Sequence, residues 1–151
     1  MIRFASLTAA TALPRRVWAI VGLALLGIAD ATYLTWLHYS HARAACAGIG
    51  DCEVVNSSRY ATLFGVPVAA FGLGLYLVVF GLGLALAHGV GRGHLVRLGI
   101  FGLALVGFLF SMYLTYIELF VLHAICPYCV LSAVVITAIL ALSIPEALST
   151  A

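Results

Sequence analysis

Four long apolar runs are the feature that most constrains this chain. They cover roughly residues 17–39, 67–87, 98–120 and 127–144. Each run is near the ~20 residues that a helix needs to cross a hydrocarbon core about 30 Å thick. The chain is 65% hydrophobic and 8% charged, whereas soluble domains carry about 25% charged residues. We therefore predict an all-α integral membrane protein, a single domain whose four transmembrane helices form a bundle in the lipid bilayer.

The first apolar run also has features of a signal peptide. "PRR" is followed by the apolar "VWAIVGLALLGI" and by small residues at Ala29 and Ala31, the order of a basic region, an apolar region and a cleavage site. The apolar pattern, however, continues through "TYLTWLHY". Trp18 and Trp36 would lie about 27 Å apart along a helix, which suits the aromatic belts at two membrane surfaces. These observations favour a retained spanning helix.

The arginines predict the orientation in the membrane. Five of the seven lie before the first span or around the connection between the second and third spans: Arg3, Arg15, Arg16, Arg92 and Arg97. The other two lie in the first loop, residues 40–66, together with two acidic residues. Since positive residues concentrate on the cytoplasmic side, we expect both termini in the cytoplasm and the first loop outside. The net charge of +2 is too small and too scattered to indicate nucleic-acid binding.

The first loop contains a candidate helix after its second cysteine. Apolar residues lie there on both sides of a polar cluster at residues 56–59. This pattern predicts a short amphipathic helix in the membrane interface, closed by Gly65 and followed by a restart at Pro67. Such a helix could roof the bundle. The alternative is a plain surface loop that never enters the interface.

All four cysteines fall on the predicted outer side, as two pairs. Pro127 suits the first turn of the fourth helix because its missing N–H would be unpaired there. Cys126 is then the expected N-cap residue, and Cys129 lies one turn further in. The electropositive helix start would stabilise a Cys126 thiolate and lower its pKa. A Cys-x-x-Cys motif in this place is a strong redox signal.

The other pair, Cys46 and Cys52, encloses the Gly-containing sequence "CAGIGDC". A flexible pair suits thiol–disulfide exchange with a molecule in solution. Two alternatives are a disulfide that only staples the loop and a four-cysteine zinc site, although the spacing departs from the usual zinc pattern. Two dithiols on one membrane face indicate an electron relay through mixed disulfides. The natural lipid-soluble acceptor of two electrons is a quinone.

Two acidic residues lie inside the predicted spans. Asp30 is in the middle of the first run, where a charge is expensive and usually functional. It is either part of a proton path to a quinone site or a neutral acid hydrogen-bonded to Thr32, Thr35 or a neighbouring helix. Glu118 lies near the outer end of the third span, two turns before Cys126. It either helps to deliver protons or is an interfacial charge.

The order of these features resembles the bacterial homologues of the vitamin K epoxide reductase family over about residues 17–144. The resemblance is carried by the loop cysteine pair, by "CEVVNSSRYATLFGVPVAAFGLGLY", and by the "CPYC" that opens the fourth helix. It implies a quinone-dependent thiol–disulfide oxidoreductase of the inner membrane, with periplasmic cysteines and no metal. Ubiquinone or menaquinone would accept the electrons. The resemblance further implies that the enzyme reoxidises a periplasmic thioredoxin-fold, DsbA-like partner.

The resemblance also assigns roles by motif position. Cys126 and Cys129 would be the active-site pair beside the quinone, with Cys129 attacking the quinone and Cys126 exchanging with Cys52. Cys46 would meet the partner protein. Ser58, on the roofing helix, would hydrogen-bond to the quinone or to the neighbouring sulfur.

Two departures from the family pattern modify this expectation. Many bacterial relatives carry a fused thioredoxin-like domain after the fourth helix, but this sequence stops at Ala151, so we expect a separate partner. Animal enzymes have a tyrosine one turn beyond the second active-site cysteine, where Ala133 stands here. Quinone reduction is therefore the safer expectation than epoxide reduction. The alternative from another class is a non-enzymatic four-helix channel or carrier that uses the cysteines as soft metal ligands.

Overall fold

The computed structural model describes residues 2–40, 52–89 and 93–148 of the chain. Its helices are α1 (Ile2–Ser40), α2 (Cys52–Ser57), α3 (Val68–Ala87), α4 (Gly93–Ile117) and α5 (Pro127–Leu148). Two short strands, β1 (Thr62–Leu63) and β2 (Val66–Pro67), lie between α2 and α3, and a π-helical turn (Glu118–Leu122) extends α4. Within these residues, the segments long and apolar enough to span a membrane are Arg15–Ser40, Val68–Ala87, Gly93–Leu122 and Pro127–Leu148. The predicted four-helix membrane protein is confirmed.

The four spanning helices form a ring. α1 packs on α3 and α5, and α4 packs on the same two helices. α1 and α4 therefore lie diagonally opposite each other. The contact of α1 with α3 is close because glycines face large side chains: a Cβ added at Gly27 would lie 2.5 Å from the Tyr76 ring, and one at Gly83 would lie 2.9 Å from Val21. Small residues at helix contacts are the usual means of close packing in membranes.

The fourth spanning helix is longer than predicted. The predicted span ends at residue 144, directly before Pro145, but α5 continues to Leu148 with the proline inside the helix. Proline removes one backbone hydrogen bond and normally kinks or ends a helix. Here the final turn is held from the side, because Glu146, only 2% exposed, lies 3.5 Å from the Arg97 Nε atom of α4. The contact between Glu146 and Arg97 therefore outweighs the tendency of Pro145 to end the helix.

The segment after the loop cysteine is only partly helical. α2 has six residues, and the prediction that it continues to Gly65 is wrong. Ser58 leaves the helix with φ −69° and ψ 158°, and a 3₁₀ turn follows at Arg59–Ala61. The strands β1 and β2 then pair in an antiparallel hairpin. Its two loop residues, Phe64 and Gly65, both have positive φ, as in the tight hairpin turns that match strand twist.

α2 nevertheless lies over one end of the bundle. It packs against α1 and against the π-helical turn that precedes α5. The hairpin then leads directly into α3. The segment between α1 and α2, including Cys46, lies outside the described residues. The short roof is therefore placed at the end of the bundle where the Cys-Pro-Tyr-Cys motif begins.

Candidate redox site

The Cys-Pro-Tyr-Cys motif begins α5 as its sequence predicts. Pro127 is the first helical residue, and the Cys126 carbonyl accepts the first helical hydrogen bond from the Val130 N–H at 3.1 Å. Cys126 thus occupies the N-cap position, and Cys129 lies in the first turn. The missing N–H of proline leaves no unpaired donor at this position.

The two cysteines are present as free thiols in different surroundings. Cys126 is buried, with 1% of its surface exposed, and Cys129 is half-buried. The hydrogen bond from the Cys129 thiol holds the pKa of Cys126 below its usual value, although burial acts in the opposite direction. The backbone N–H groups of Cys129 and Tyr128 add to this effect. Cys126 is therefore prepared to act as a thiolate, the form that attacks disulfides and leaves readily.

Glu118 contacts this pair directly. It begins the π-helical turn and is 5% exposed. Its Oε2 atom accepts a hydrogen bond from the Cys126 N–H at 3.4 Å, and its carboxyl group is also hydrogen-bonded to the Cys129 thiol. The backbone returns towards it as well, because the Ala124 N–H donates to the Glu118 carbonyl at 3.0 Å. The structure thus places Glu118 beside the sulfurs and not at an exposed interface.

A cavity of about 350 Å³ opens beside the cysteine pair. It is lined by all four spanning helices and by the segment that follows α2. Five of the residues singled out from the sequence reach it: Asp30, Ser58, Glu118, Cys126 and Cys129. Most of the remaining wall is aliphatic or aromatic, with Leu34, Leu75, Val106, Phe110, Leu114 and Ile136 among its residues. A concave, mostly apolar space with a few polar groups is typical of a small-molecule site.

Ser58 faces this cavity from outside α2 and not from the predicted helix. Its hydroxyl donates to the Val55 carbonyl at 2.8 Å. The same oxygen can still accept a hydrogen bond, since a hydroxyl has two lone pairs. Cys52 begins α2, but its side chain lies outside the described residues, as does the whole of Cys46.

Asp30 reaches the cavity from α1 without a hydrogen-bonding partner among the described residues. It is 7% exposed, and both of its carboxyl oxygens are buried and unpaired there. The two threonines considered as its partners bond elsewhere. Thr32 donates to the Ile28 carbonyl at 2.6 Å and Thr35 to the Ala31 carbonyl at 2.7 Å. The hydrogen bonds expected between Asp30 and these threonines are therefore not formed.

Tyr76 is a cavity residue that the sequence did not single out. Its ring packs on Gly27 of α1, and its hydroxyl lies 3.0 Å from the Ser132 carbonyl oxygen and 2.9 Å from the Ser132 Oγ atom. It thereby connects α1, α3 and α5 at the cavity wall. The available signal was a lone tyrosine within the aliphatic run "GLGLYLVV" of the second span. Only the packing shows that its hydroxyl is held in place.

The metal-carrier alternative depends in part on cysteine side chains outside the described residues. Among the described residues, no three or more His, Cys, Asp or Glu side chains are grouped so that they could hold a metal ion. A four-cysteine site would also need Cys46 and the side chain of Cys52. The described half of such a site is a cysteine pair beside a carboxylate and an apolar cavity, an environment that suits redox chemistry at least as well.

Comparison with known proteins supports a redox interpretation. The model of the vitamin K epoxide reductase family matches residues 18–144 of the chain. The thiol-disulfide oxidoreductase LTO1 of Arabidopsis thaliana is 32% identical over 127 residues, which cover 78% of this chain and 33% of that protein. The chain therefore spans about a third of the length of this curated relative. The region matched by the family model contains both cysteine pairs, the whole of the second and third spanning segments and most of the first and fourth.

Proposed function

The chain belongs to the vitamin K epoxide reductase family, and from this premise we propose that it is a quinone-dependent thiol–disulfide oxidoreductase. It would take electrons from a thioredoxin-fold, DsbA-like protein and pass them to ubiquinone or menaquinone in the membrane. The observation that carries this proposal is the arrangement at the start of α5. There, a free cysteine pair with a lowered Cys126 pKa lies beside a concave, mostly apolar cavity.

The cavity has properties that suit a quinone head group. Its volume of about 350 Å³ falls within the range of roughly 300–1,000 Å³ that is typical of small-molecule sites. Asp30, Ser58 and Glu118 supply the cavity wall with a few polar side chains. When bound, a quinone would accept two electrons and two protons. Side chains of the protein would position the quinone and handle the protons.

The proposed relay begins at the outer pair. A thiolate of the partner protein would exchange with a Cys46–Cys52 disulfide at Cys46. The reduced Cys52 would then attack the Cys126 sulfur of a Cys126–Cys129 disulfide, so that Cys129 leaves and takes its proton beside Glu118. The position of α2 supports this order, because the helix that begins at Cys52 packs against the π-helical turn next to Cys126. Each exchange passes through a mixed disulfide.

The charges support the proposed orientation. Arg16 and Arg97 lie near Glu146, at the end of the bundle opposite to the cysteine pair. We propose that this end faces the cytoplasm of a bacterial cell, with both termini, and that the cysteines face the periplasm. The positive-inside rule provides the physical basis. The orientation would place Cys46 and Cys52 where a soluble periplasmic protein can reach them.

The test is turnover by the purified protein in lipid nanodiscs with a reduced DsbA-like protein and a soluble ubiquinone analogue. Quinone absorbance would report electron transfer. Cys126→Ala and Cys129→Ala should each abolish turnover. Thr137→Ala is the matched control, because this exposed residue of α5 only hydrogen-bonds to its own helix, at 2.6 Å. Undiminished turnover in both cysteine variants would refute the proposal.

A second measurement tests the order of the relay. Cys46→Ala should abolish turnover with the protein partner but preserve turnover driven by dithiothreitol, which can reduce the Cys126–Cys129 pair directly. Equal loss of both reactions would contradict the assigned order. Metal retention by the purified protein, without quinone turnover, would favour the carrier alternative instead.

A further inference from the structure

Two buried carboxyl groups enter the cavity from opposite sides of the bundle. Asp30 belongs to α1, and Glu118 belongs to the π-helical turn at the end of α4. Since α1 and α4 each pack on both α3 and α5, they occupy diagonal positions in the ring. Both acids line the same cavity. A molecule in that cavity would therefore lie between them.

The two acids differ in what surrounds them. Glu118 receives two donors, the Cys126 N–H at 3.4 Å and the Cys129 thiol. It is thus an acceptor that already touches the proton of a reacting sulfur. Asp30 receives no donor from the described residues. Its side chain lines the cavity, and both of its carboxyl oxygens are buried without a partner there.

The neighbours that could have satisfied Asp30 are committed to other partners. Thr32 and Thr35 donate to carbonyls of α1. The Tyr76 hydroxyl, on the facing helix α3, is held by Ser132 of α5. An unpaired carboxylate in hydrocarbon is costly, whereas a neutral carboxylic acid can donate a hydrogen bond. A buried polar side chain kept unpaired in this way is a feature that a ligand can satisfy.

We propose that the two carboxyl groups divide the proton handling of quinone reduction. Glu118 takes the proton of the Cys129 thiol, and Asp30, as a neutral acid, donates a hydrogen bond across the cavity to a carbonyl oxygen of the bound quinone. This inference rests on the proposed function. It adds a division of roles in which one acid serves the sulfur and the other serves the oxidant.

The atoms and electrons of this step balance. One S–S bond forms between Cys126 and Cys129, and the pair loses two electrons to the quinone. The Cys129 S–H bond breaks, and its proton passes through Glu118 to one quinone oxygen. The second proton replaces the one that the Cys126 thiol released on ionising, and it comes from water. Glu118 returns to a carboxylate, and Asp30 keeps its own proton throughout.

The first test concerns Glu118 and needs no quinone. Among the described residues, the titratable side chains beside Cys126 or on the wall of its cavity are Cys129 and Tyr128 on α5, Glu118 on the π-helical turn, Asp30 on α1, Tyr76 on α3 and Tyr60 on the 3₁₀ turn. The negative charge of Glu118 raises the Cys126 pKa, against the larger effect of the Cys129 bond. Glu118→Gln keeps an oxygen for the Cys126 N–H but carries no charge. It should therefore lower the Cys126 pKa. At a pH below that pKa, the rate of Cys126 alkylation should rise by about tenfold for each unit by which the pKa falls.

The same variant should slow quinone turnover at least tenfold, because the amide cannot take the Cys129 proton. A lower midpoint in the pH profile of Cys126 alkylation, together with slower turnover, distinguishes this role from a structural one. Misfolding would expose the buried Cys126 thiol and raise its alkylation rate without lowering that midpoint. Circular dichroism and the melting temperature establish that the variant is folded. Undiminished quinone turnover in Glu118→Gln would overturn the role assigned to Glu118.

The second test concerns Asp30 and uses binding, not turnover. Asp30→Leu removes a buried, unpaired polar group, so the folded protein should be no less stable than the wild type. Its affinity for a ubiquinone analogue should nevertheless fall about threefold to tenfold, the value of one hydrogen bond. Asp30→Asn retains a donor and should recover part of the affinity. Ser143→Ala, a buried hydroxyl at the far end of α5, is the matched control.

Infrared difference spectra of the oxidised protein provide an independent readout. Quinone should shift the carbonyl stretch of a protonated carboxyl group in the wild type, and Asp30→Leu should abolish that band. An unchanged affinity in Asp30→Leu, or a carboxyl band that persists in it, would refute the role of Asp30. If the wild type itself neither binds nor reduces quinone, the proposed function fails instead. The two failures are therefore distinguishable.

Discussion

Gly27 provides the sharpest test of how the cavity wall is built, through the substitution Gly27→Ala. A Cβ at this position would lie 2.5 Å from two ring carbons of Tyr76 and 2.7 Å from a third. Carbon atoms in contact are normally about 3.5–4.0 Å apart, so the ring must shift by about 1 Å. The hydroxyl at the other end of the ring bonds to Ser132 at 2.9 and 3.0 Å. A shift of that size away from Ser132 would break this hydrogen bond.

The magnitude follows from these two effects. Overpacking costs about 1–3 kcal/mol, and loss of the hydrogen bond costs about 0.5–1.5 kcal/mol. Alanine in place of glycine within a helix stabilises the folded protein by about 0.5–1 kcal/mol. Gly22→Ala on the same helix is the matched control, because a Cβ there would meet nothing within 4 Å. The control should gain only the helix term, so the two variants should differ by about 1.5–4.5 kcal/mol in the free energy of unfolding.

The assay is unfolding of both variants by denaturant in the same detergent, followed by quinone binding. Gly27→Ala should be the less stable variant and should bind quinone more weakly, because Tyr76 lines the cavity. Gly22→Ala should match or exceed the wild type in stability. Equal stability of the two alanine variants would refute the packing that we describe between Gly27 and Tyr76.

Three further substitutions test other parts of the structure. Arg97→Gln removes the ion pair of Glu146 with Arg97 at 3.5 Å, and we expect a loss of about 1–3 kcal/mol because Arg16 remains near Glu146. The double variant Arg97→Gln/Glu146→Gln should regain part of it, and equal melting temperatures for wild type and Arg97→Gln would contradict the ion pair. Cys129→Ala removes the hydrogen bond that lowers the Cys126 pKa, so Cys126 should ionise at higher pH and be alkylated more slowly at neutral pH; a faster rate would contradict the assignment. Phe64→Gly relieves a non-glycine residue at φ 54° and should stabilise the protein by about 1 kcal/mol, as measured by thermal unfolding against Leu63→Ala, an exposed neighbour with ordinary backbone.

The sequence predicts the architecture well because long apolar helices obey a simple constraint. Hydrocarbon thickness fixes the length of a span, and the position of Pro127 fixes where the fourth helix begins. The end of that helix was not predictable from Pro145 alone, because the partner that holds the last turn is Arg97, distant in sequence. The hairpin after Ser58 depends on backbone geometry at Phe64, for which a bulky residue gives no local signal.

The site was predictable in its chemistry more than in its geometry. The cysteine spacing indicates a redox pair without knowledge of the fold. The sequence identified Asp30 and Glu118 only as unusual acids, each with a structural alternative. That one acid is unpaired and the other is hydrogen-bonded to a cysteine thiol depends on the diagonal placement of α1 and α4. The role of Tyr76 depends on its contacts with Gly27 and Ser132, which belong to two other helices.

The π-helical turn has a consequence for insertions and deletions. Each residue of an α-helix adds about 100° of rotation, and a π-helical turn holds one residue more than an α-helical turn. Removing a single residue from 119–122 would therefore favour an ordinary α-helical ending and turn the Glu118 side chain away from Cys126 and Cys129. The separation of eight residues between Glu118 and Cys126 is thus as much a part of the site as the residues themselves. In any homologous sequence, an acid at this position is equivalent to Glu118 only if that separation is retained.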